Sequence, residues 1–191
     1  MTKPIELPTL PFESKKKFAE WLAKQHDKSA GAWLKLAKKA TGIPSVTYAE
    51  ALDVALCYGW IDGQRNSFDE NYFLQKFTPR RPKSIWSKIN VENAERLIAS
   101  GEMKPSGLKA VEAAKHDGRW AAAYTSQKNI SVPADFQSAL EKNKKAKAFF
   151  ETLTGSRRYA FLFRIETAKK AETREKRIRQ FVEKLSKGET L

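Results

Sequence analysis

The stretch TYAEALDVALCYGWIDGQRNSFDENYFLQKFT, residues 47–78, decides the fold, because within it the period of the apolar residues changes. Thr47 and Glu50 have the T-x-x-E spacing of a capping box, in which each side chain satisfies the other's free backbone N–H. Ala51, Leu52, Ala55 and Leu56 follow at helical spacing, and Gly59 supplies the left-handed stop. Beyond it the pattern reads as two strands around a polar turn built from Asn66 to Asn71. Phe73 and Phe77 are placed on one face of the second strand, with Gln75 as the alternating polar residue.

Working upstream, GAWLKLAKK between flanking glycines predicts a strand over 31–39. Ser14 before KKKFAEWLAKQ predicts a helix over about 15–25. Residues 1–12, with three prolines, read as an extended lead. The first part of the chain is thus a small antiparallel sheet of about three strands packed with helices.

Downstream the chain turns helical. Asn90 is placed as the cap of VENAERLIAS, which Gly101 ends, and PSGLKAVEAAKHDG runs from Pro105 to a stop at Gly118. Past RWAAAYTSQKNISVP, three or four short helices follow. The last carries Ile178, Phe181, Val182 and Leu185 on one face and Arg174, Lys176, Arg177 and Lys184 on another. The expected class is α+β, with an α+β domain over 1–130 and a helical module over 131–191.

Charge and composition bound the function. The 191 residues carry a formal net charge of +14, which attracts polyanions such as nucleic acid and repels basic partners. Five Trp and eleven Phe argue against disorder. No apolar run approaches the roughly 20 residues that cross a bilayer, and the N-terminus has no apolar block of a secretory signal. A cytoplasmic protein without membrane insertion is the expectation. The single cysteine, Cys57, excludes an internal disulfide framework.

Motifs for catalysis are lacking: no G-x-S-x-G elbow, no Walker-type loop, no G-x-G-x-x-G. His26–Asp27 and His116–Asp117 read as helix C-terminal residues that suit the dipole, so no metal and no cofactor is expected. Cys57 reads as a buried, inert thiol. Asp62 reads first as the cap of a tight Asp-Gly turn. Its rival reading is a polar anchor in a small-molecule pocket lined by Tyr58, Trp60 and Trp86.

The richest candidate is KFTPRRPKSIWSK, residues 76–88, with five basic residues and no acidic one. Pro79 and Pro82 stiffen the backbone and present Arg80, Arg81 and Lys83, with Lys88 at the end, as donors to phosphate oxygens. Trp86 can stack on a base. The competing reading has these side chains satisfying groups within the fold and Trp86 in the core. Arg174 and Arg177 of the last helix extend the anion-binding candidates, under the same reservation that a basic helix face is often only a solvated one.

Taken in order, ALCYGWIDGQ, FTPRRPKSIWSKIN, GEMKPSGL and DGRW resemble the signature series of the bacterial YdeI/OmpD-associated, or bacteriocin-protection, family. VPADFQSAL and SRRYAFLFRIETAKKAETREKRI are similar to its C-terminal module, which also occurs on other N-terminal domains. The resemblance implies an N-terminal α+β domain of the YjbR/frataxin-like grouping and no agreed activity, substrate or cofactor. It adds a protein partner in stress or bacteriocin tolerance to the nucleic-acid and small-molecule readings.

Overall fold

The computed structural model describes residues 6–191; residues 1–5, part of the predicted lead, lie outside the described residues. The elements are β1 Thr9–Pro11, α1 Lys15–Gln25, β2 Ala32–Ala37, α2 Tyr48–Cys57, β3 Trp60–Ser67, β4 Tyr72–Pro79, α3 Lys88–Ala99 and α4 Pro105–His116. Then come α5 Ala134–Glu141, α6 Lys144–Thr152, α7 Gly155–Glu166 and α8 Ala171–Ser186. The fold is α+β, with four strands in one sheet. The chain forms two compact units: one takes the chain up to Ile85 with Asn90–Ala121, the other Trp86–Ile89 with Ala122–Leu191.

In the first unit the sheet order is β1-β2-β4-β3. β2, β4 and β3 pair antiparallel, as the sequence predicts, while β1 adds to β2 in parallel and makes the sheet mixed. β1 is three residues long, ends in Pro11 and sits at an edge, the place where a strand tolerates proline. α1 and α2 bury one face of the sheet. Phe18 and Leu22 of α1 and Leu34, Leu36 and Phe77 of the sheet are all at 0–1% exposure. The Phe18 and Phe77 rings lie 5.9 Å apart, and Trp21 meets Trp60 edge-on at 5.9 Å. The Thr47/Glu50 capping box closes the start of α2.

Two expectations are corrected here. Residues 73, 75 and 77 share one face, so Gln75 does not alternate with the phenylalanines; it is buried beside Phe77, with Phe73 partly buried. Its amide Nε2 donates to the carbonyls of Gly63 at 2.9 Å and Gln64 at 3.3 Å. Those carbonyls lie where the β3–β4 register shifts between Asp62 and Arg65, and a bulge leaves just such groups without ladder partners. The second correction concerns Asn90: α3 begins at Lys88, so Asn90 lies inside the helix, buried, rather than capping it.

The joint between α2 and α4 is set by two glycines. Gly59, at φ +74°, ends α2, and a Cβ there would meet the Ser106 carbonyl at 2.8 Å. A Cβ on Gly107 would stand 2.3 Å from the Cys57 carbonyl oxygen and 2.5 Å from Met103 Sδ. The approach lets the Lys104 amide donate to the Cys57 carbonyl at 3.1 Å.

The second unit is built from α5 to α8 around an aromatic ladder. Phe136–Phe150, Phe150–Phe161 and Phe161–Phe181 pack edge-to-face at 5.3, 6.3 and 5.2 Å, with Leu140, Ile165 and Leu185 at 0–1% exposure beside them. Ile178, Phe181, Val182 and Leu185 are the inward face of α8, as their spacing predicts. Trp86–Ile89 contributes a short strip, in which the Tyr124 amide donates to the Trp86 carbonyl and the Lys88 amide to the Tyr124 carbonyl, both at 2.9 Å.

Gly107→Ala gives a test with an unambiguous sign. By helix propensity alone the change stabilises by roughly 1 kcal/mol; with backbone in the way it destabilises by about 3 kcal/mol. Thermal unfolding of this variant checks it, with Gly101→Ala as reference, where φ is +74° and nothing lies within 4 Å of the added carbon.

Candidate anion-binding surface

The segment after β4 is held by its own backbone before any side chain is considered. The Arg80 amide donates to the Gly59 carbonyl at 3.0 Å, the Ser84 amide to the Arg81 carbonyl at 2.9 Å, and the Arg81 amide to Ser84 Oγ at 3.1 Å. Pro79 and Pro82 flank the arginines and fix φ on either side. Arg81, Pro82 and Lys83 are exposed at the tip of this turn.

Two guanidinium groups hold the turn from beneath. Arg80 Nη1 donates to the Ile85 carbonyl at 3.3 Å, and Arg119 Nη1 to the Ser84 carbonyl at 2.7 Å. The Arg119 side chain is only 9% exposed, and its Nε bonds both oxygens of Asp117, at 2.8 and 2.7 Å. α4 ends at His116, so its last turn carries these groups toward the loop. The result is a concavity of about 350 Å³ lined by Arg80, Arg81, Pro82, His116, Asp117 and Arg119, with Ala110 and Ala113.

Arg119 was not among the candidates in the sequence, where DGRW enters through the helix stop at Gly118 and the family resemblance. The local cue is real, since Gly118 ends the helix at φ +77°. The link to Ser84, 35 residues away, has no local signature.

The C-terminal candidates are committed to the fold of the second unit. Arg174 makes a bidentate pair with Asp135, Nε–Oδ2 2.6 Å and Nη2–Oδ1 2.9 Å, and its Nη1 donates to the Ile165 carbonyl at 2.8 Å. Arg177 Nη1 donates to the Arg164 carbonyl. Both arginines thus satisfy carbonyls of the last turn of α7, where cations are favoured. The Asp135 carboxyl is held below its ordinary value chiefly by the Arg174 hydrogen bonds. Lys88 is exposed in the strip Trp86–Ile89 of the second unit.

The four pocket candidates fall as follows. Trp60 is 1% exposed and spent in the core, its Nε1 donating to the His26 carbonyl at 3.0 Å. Tyr58 is half-buried, 5.4 Å from the His26 ring. Trp86 is buried and belongs to the second unit. Asp62 is corrected: it does not cap a turn but lies inside β3, at the start of the bulge, and accepts from Tyr48 Oη at 2.8 Å. Asp-Gly reads as a turn by composition, whereas a bulge uses the same freedom of Gly63 within a strand. Cys57 is buried, and desolvation pushes its thiol up to about 11, which suppresses the nucleophilic thiolate. Among the described residues no group of three or more His, Cys, Asp or Glu is placed to hold a metal ion, and no helix is long and apolar enough to cross a membrane.

An α+β unit with a cationic concavity, followed by a four-helix unit, is a two-part architecture, and sequence comparison divides the chain in a similar way. The chain belongs to the family described as "Domain of unknown function (DUF8412)", matched over residues 10–110, and its residues 129–188 match the family described as "Bacteriocin-protection, YdeI or OmpD-Associated". ALCYGWIDGQ and TPRRPKSIWSK lie in the first-unit match, while DGRW lies between the two. No curated protein and no solved structure matches the chain, so the α+β class rests on the topology itself and the frataxin-like grouping stays an expectation of the resemblance.

The Arg174–Asp135 pair predicts a defined pH signature. Because the folded-state carboxyl is depressed, its contribution is present above the ordinary carboxylate value and is lost as pH falls through the lower folded value. The Asp135 side chain is 46% exposed, so solvent screening limits the effect to about 1 kcal/mol. Asp135→Asn should lower the thermal midpoint near neutrality and match the wild type in strong acid; equal differences at both pH values would contradict the pairing.

Proposed function

We propose that this protein is a non-enzymatic cytoplasmic polyanion-binding protein whose first unit engages the phosphates of nucleic acid through the turn at Arg81 and Lys83. The observation that carries this is the concavity itself, where Arg80, Arg81 and Arg119 meet beside His116 against one carboxylate, Asp117. Arg80 and Arg119 hold the loop, and Arg81 and Lys83 present their charge from it. This division suits phosphate recognition, in which a donor already in position loses less freedom on binding. The excess charge of the chain supplies long-range attraction.

The reading makes Arg174 and Arg177 structural, so the two sets of arginines are separable by experiment. Binding of a labelled DNA duplex, followed by anisotropy, should weaken by about 10- to 100-fold between roughly 50 and 200 mM salt if about three phosphates are contacted. Arg81→Ala with Lys83→Ala should reduce the slope of log affinity against log salt by roughly one unit for each charge removed. Arg174→Ala should lower the unfolding midpoint with little change in that slope. Absence of binding at low salt would sink the proposal.

A further inference from the structure

The opposite face of the sheet, away from α1 and α2, carries residues that the arginine turn does not explain. On β2 these are Trp33 and Lys35; on β4 they are Tyr72, Leu74 and Lys76. While Leu34, Leu36 and Phe77 on the core face are 0–1% exposed, all five keep part of their surface accessible. Phe68, in the turn between β3 and β4, is 51% exposed. A contiguous accessible apolar patch rimmed by polar residues marks an interaction surface, and partly accessible Trp33 and Tyr72 with exposed Phe68 form one here.

Aromatic and basic residues alternate on this face in a fixed way. Trp33 is the register partner of Lys76, whose Nζ stands 5.7 Å from its ring centroid. Lys35 Nζ lies 4.1 Å from the Tyr72 ring and 4.5 Å from that of Phe68. The neighbouring carboxylate is Asp69, 3.9 Å from Lys35, and its Oδ1 already accepts the Asn71 and Tyr72 amides at 2.8 and 2.7 Å. Trp33 on β2 and Tyr72, the register partner of Ala37 on β4, stand four residue positions apart along the strands, about 13 Å, against the rise of about 3.4 Å in a stacked nucleic-acid strand. Rings so far apart meet bases that have left their stack, and Lys35 and Lys76 supply the cations beside them for phosphates.

We propose that this face is a stacking platform for single-stranded nucleic acid, with bases on Trp33, Tyr72 and Phe68 and phosphates on Lys35 and Lys76. A duplex hides its base faces and has nothing to offer the rings, so the platform selects single strands. The proposal rests on the polyanion reading above and sharpens it to a class of nucleic acid.

The test uses the full chain and three probes: a labelled single-stranded oligonucleotide, a hairpin duplex of the same composition, and heparin. Trp33→Ala and Tyr72→Ala should each weaken single-strand binding about tenfold, leaving duplex and heparin binding unchanged. Unfolding midpoints confirm that the variants are folded, and Trp33→Phe should retain most of the affinity because a ring remains. Equal losses on single strand and duplex, or no loss on either, overturn the platform while leaving the polyanion reading intact. If the alanine variants instead change the association state in sedimentation, the face pairs two copies of the chain and the platform is wrong. Failure of all three probes to bind wild-type protein at low salt overturns both readings together.

Discussion

The Cys57 carbonyl accepts the Lys104 amide at 3.1 Å, and the arginine concavity depends on that contact. The helix ends come this close because Gly107 has no Cβ to strike the same carbonyl. Gly59, next to this joint, serves both walls of the concavity: a side chain there would meet Ser106 at the start of α4, and its carbonyl receives the amide of Arg80. Fixing the start of α4 also fixes its end twelve residues on, where His116, Asp117 and then Arg119 come beside the turn. The electrostatics of the surface thus rest on backbone packing between two glycines.

Net charge is a poor measure of available charge in this protein. Arg174, Arg177 and Arg158 each donate to a backbone carbonyl of the second unit, and Arg96 pairs with Asp53 at 2.6 Å in the first. Guanidinium groups are well suited to this use, since a planar fork of donors can close a helix terminus and a carboxylate at once. The lysines of the sheet face lean over aromatic rings instead, so their charge stays close to the surface they share. Position in the fold, more than residue type, decides which cations meet a partner.

Much of the fold was legible because its signals are local. The capping box at Thr47, the stop at Gly59, Pro105 at the first turn of α4 and the apolar face of α8 each involve residues within one or two turns. Elements that depend on distant partners were not legible. β1 exists because β2 accepts it as an edge. The place of Gln75 in the core depends on bulged carbonyls of another strand, and Asp62 answers to Tyr48 across fourteen positions. The candidate site divides in the same way: stiffness around Arg80 and Arg81 follows from two prolines, whereas Arg119 enters through a contact over 35 residues. The polar face of α8 was legible as basic but not as engaged, since the Ile165 and Arg164 carbonyls that occupy Arg174 and Arg177 belong to α7.

The strip Trp86–Ile89 has a consequence for how the protein is made. It belongs to the second unit, yet it is synthesised in the midst of the first, and its hydrogen-bonding partner Tyr124 follows more than thirty residues later. A growing chain therefore exposes this strip before anything exists to receive it, and the second unit closes only after Asn90–Ala121 has been laid down. The matched module at 129–188 contains neither Tyr124 nor the strip. Transplanted to another N-terminal partner, it would have to find a substitute for both, so a module cut at residue 129 does not carry the whole of the second unit.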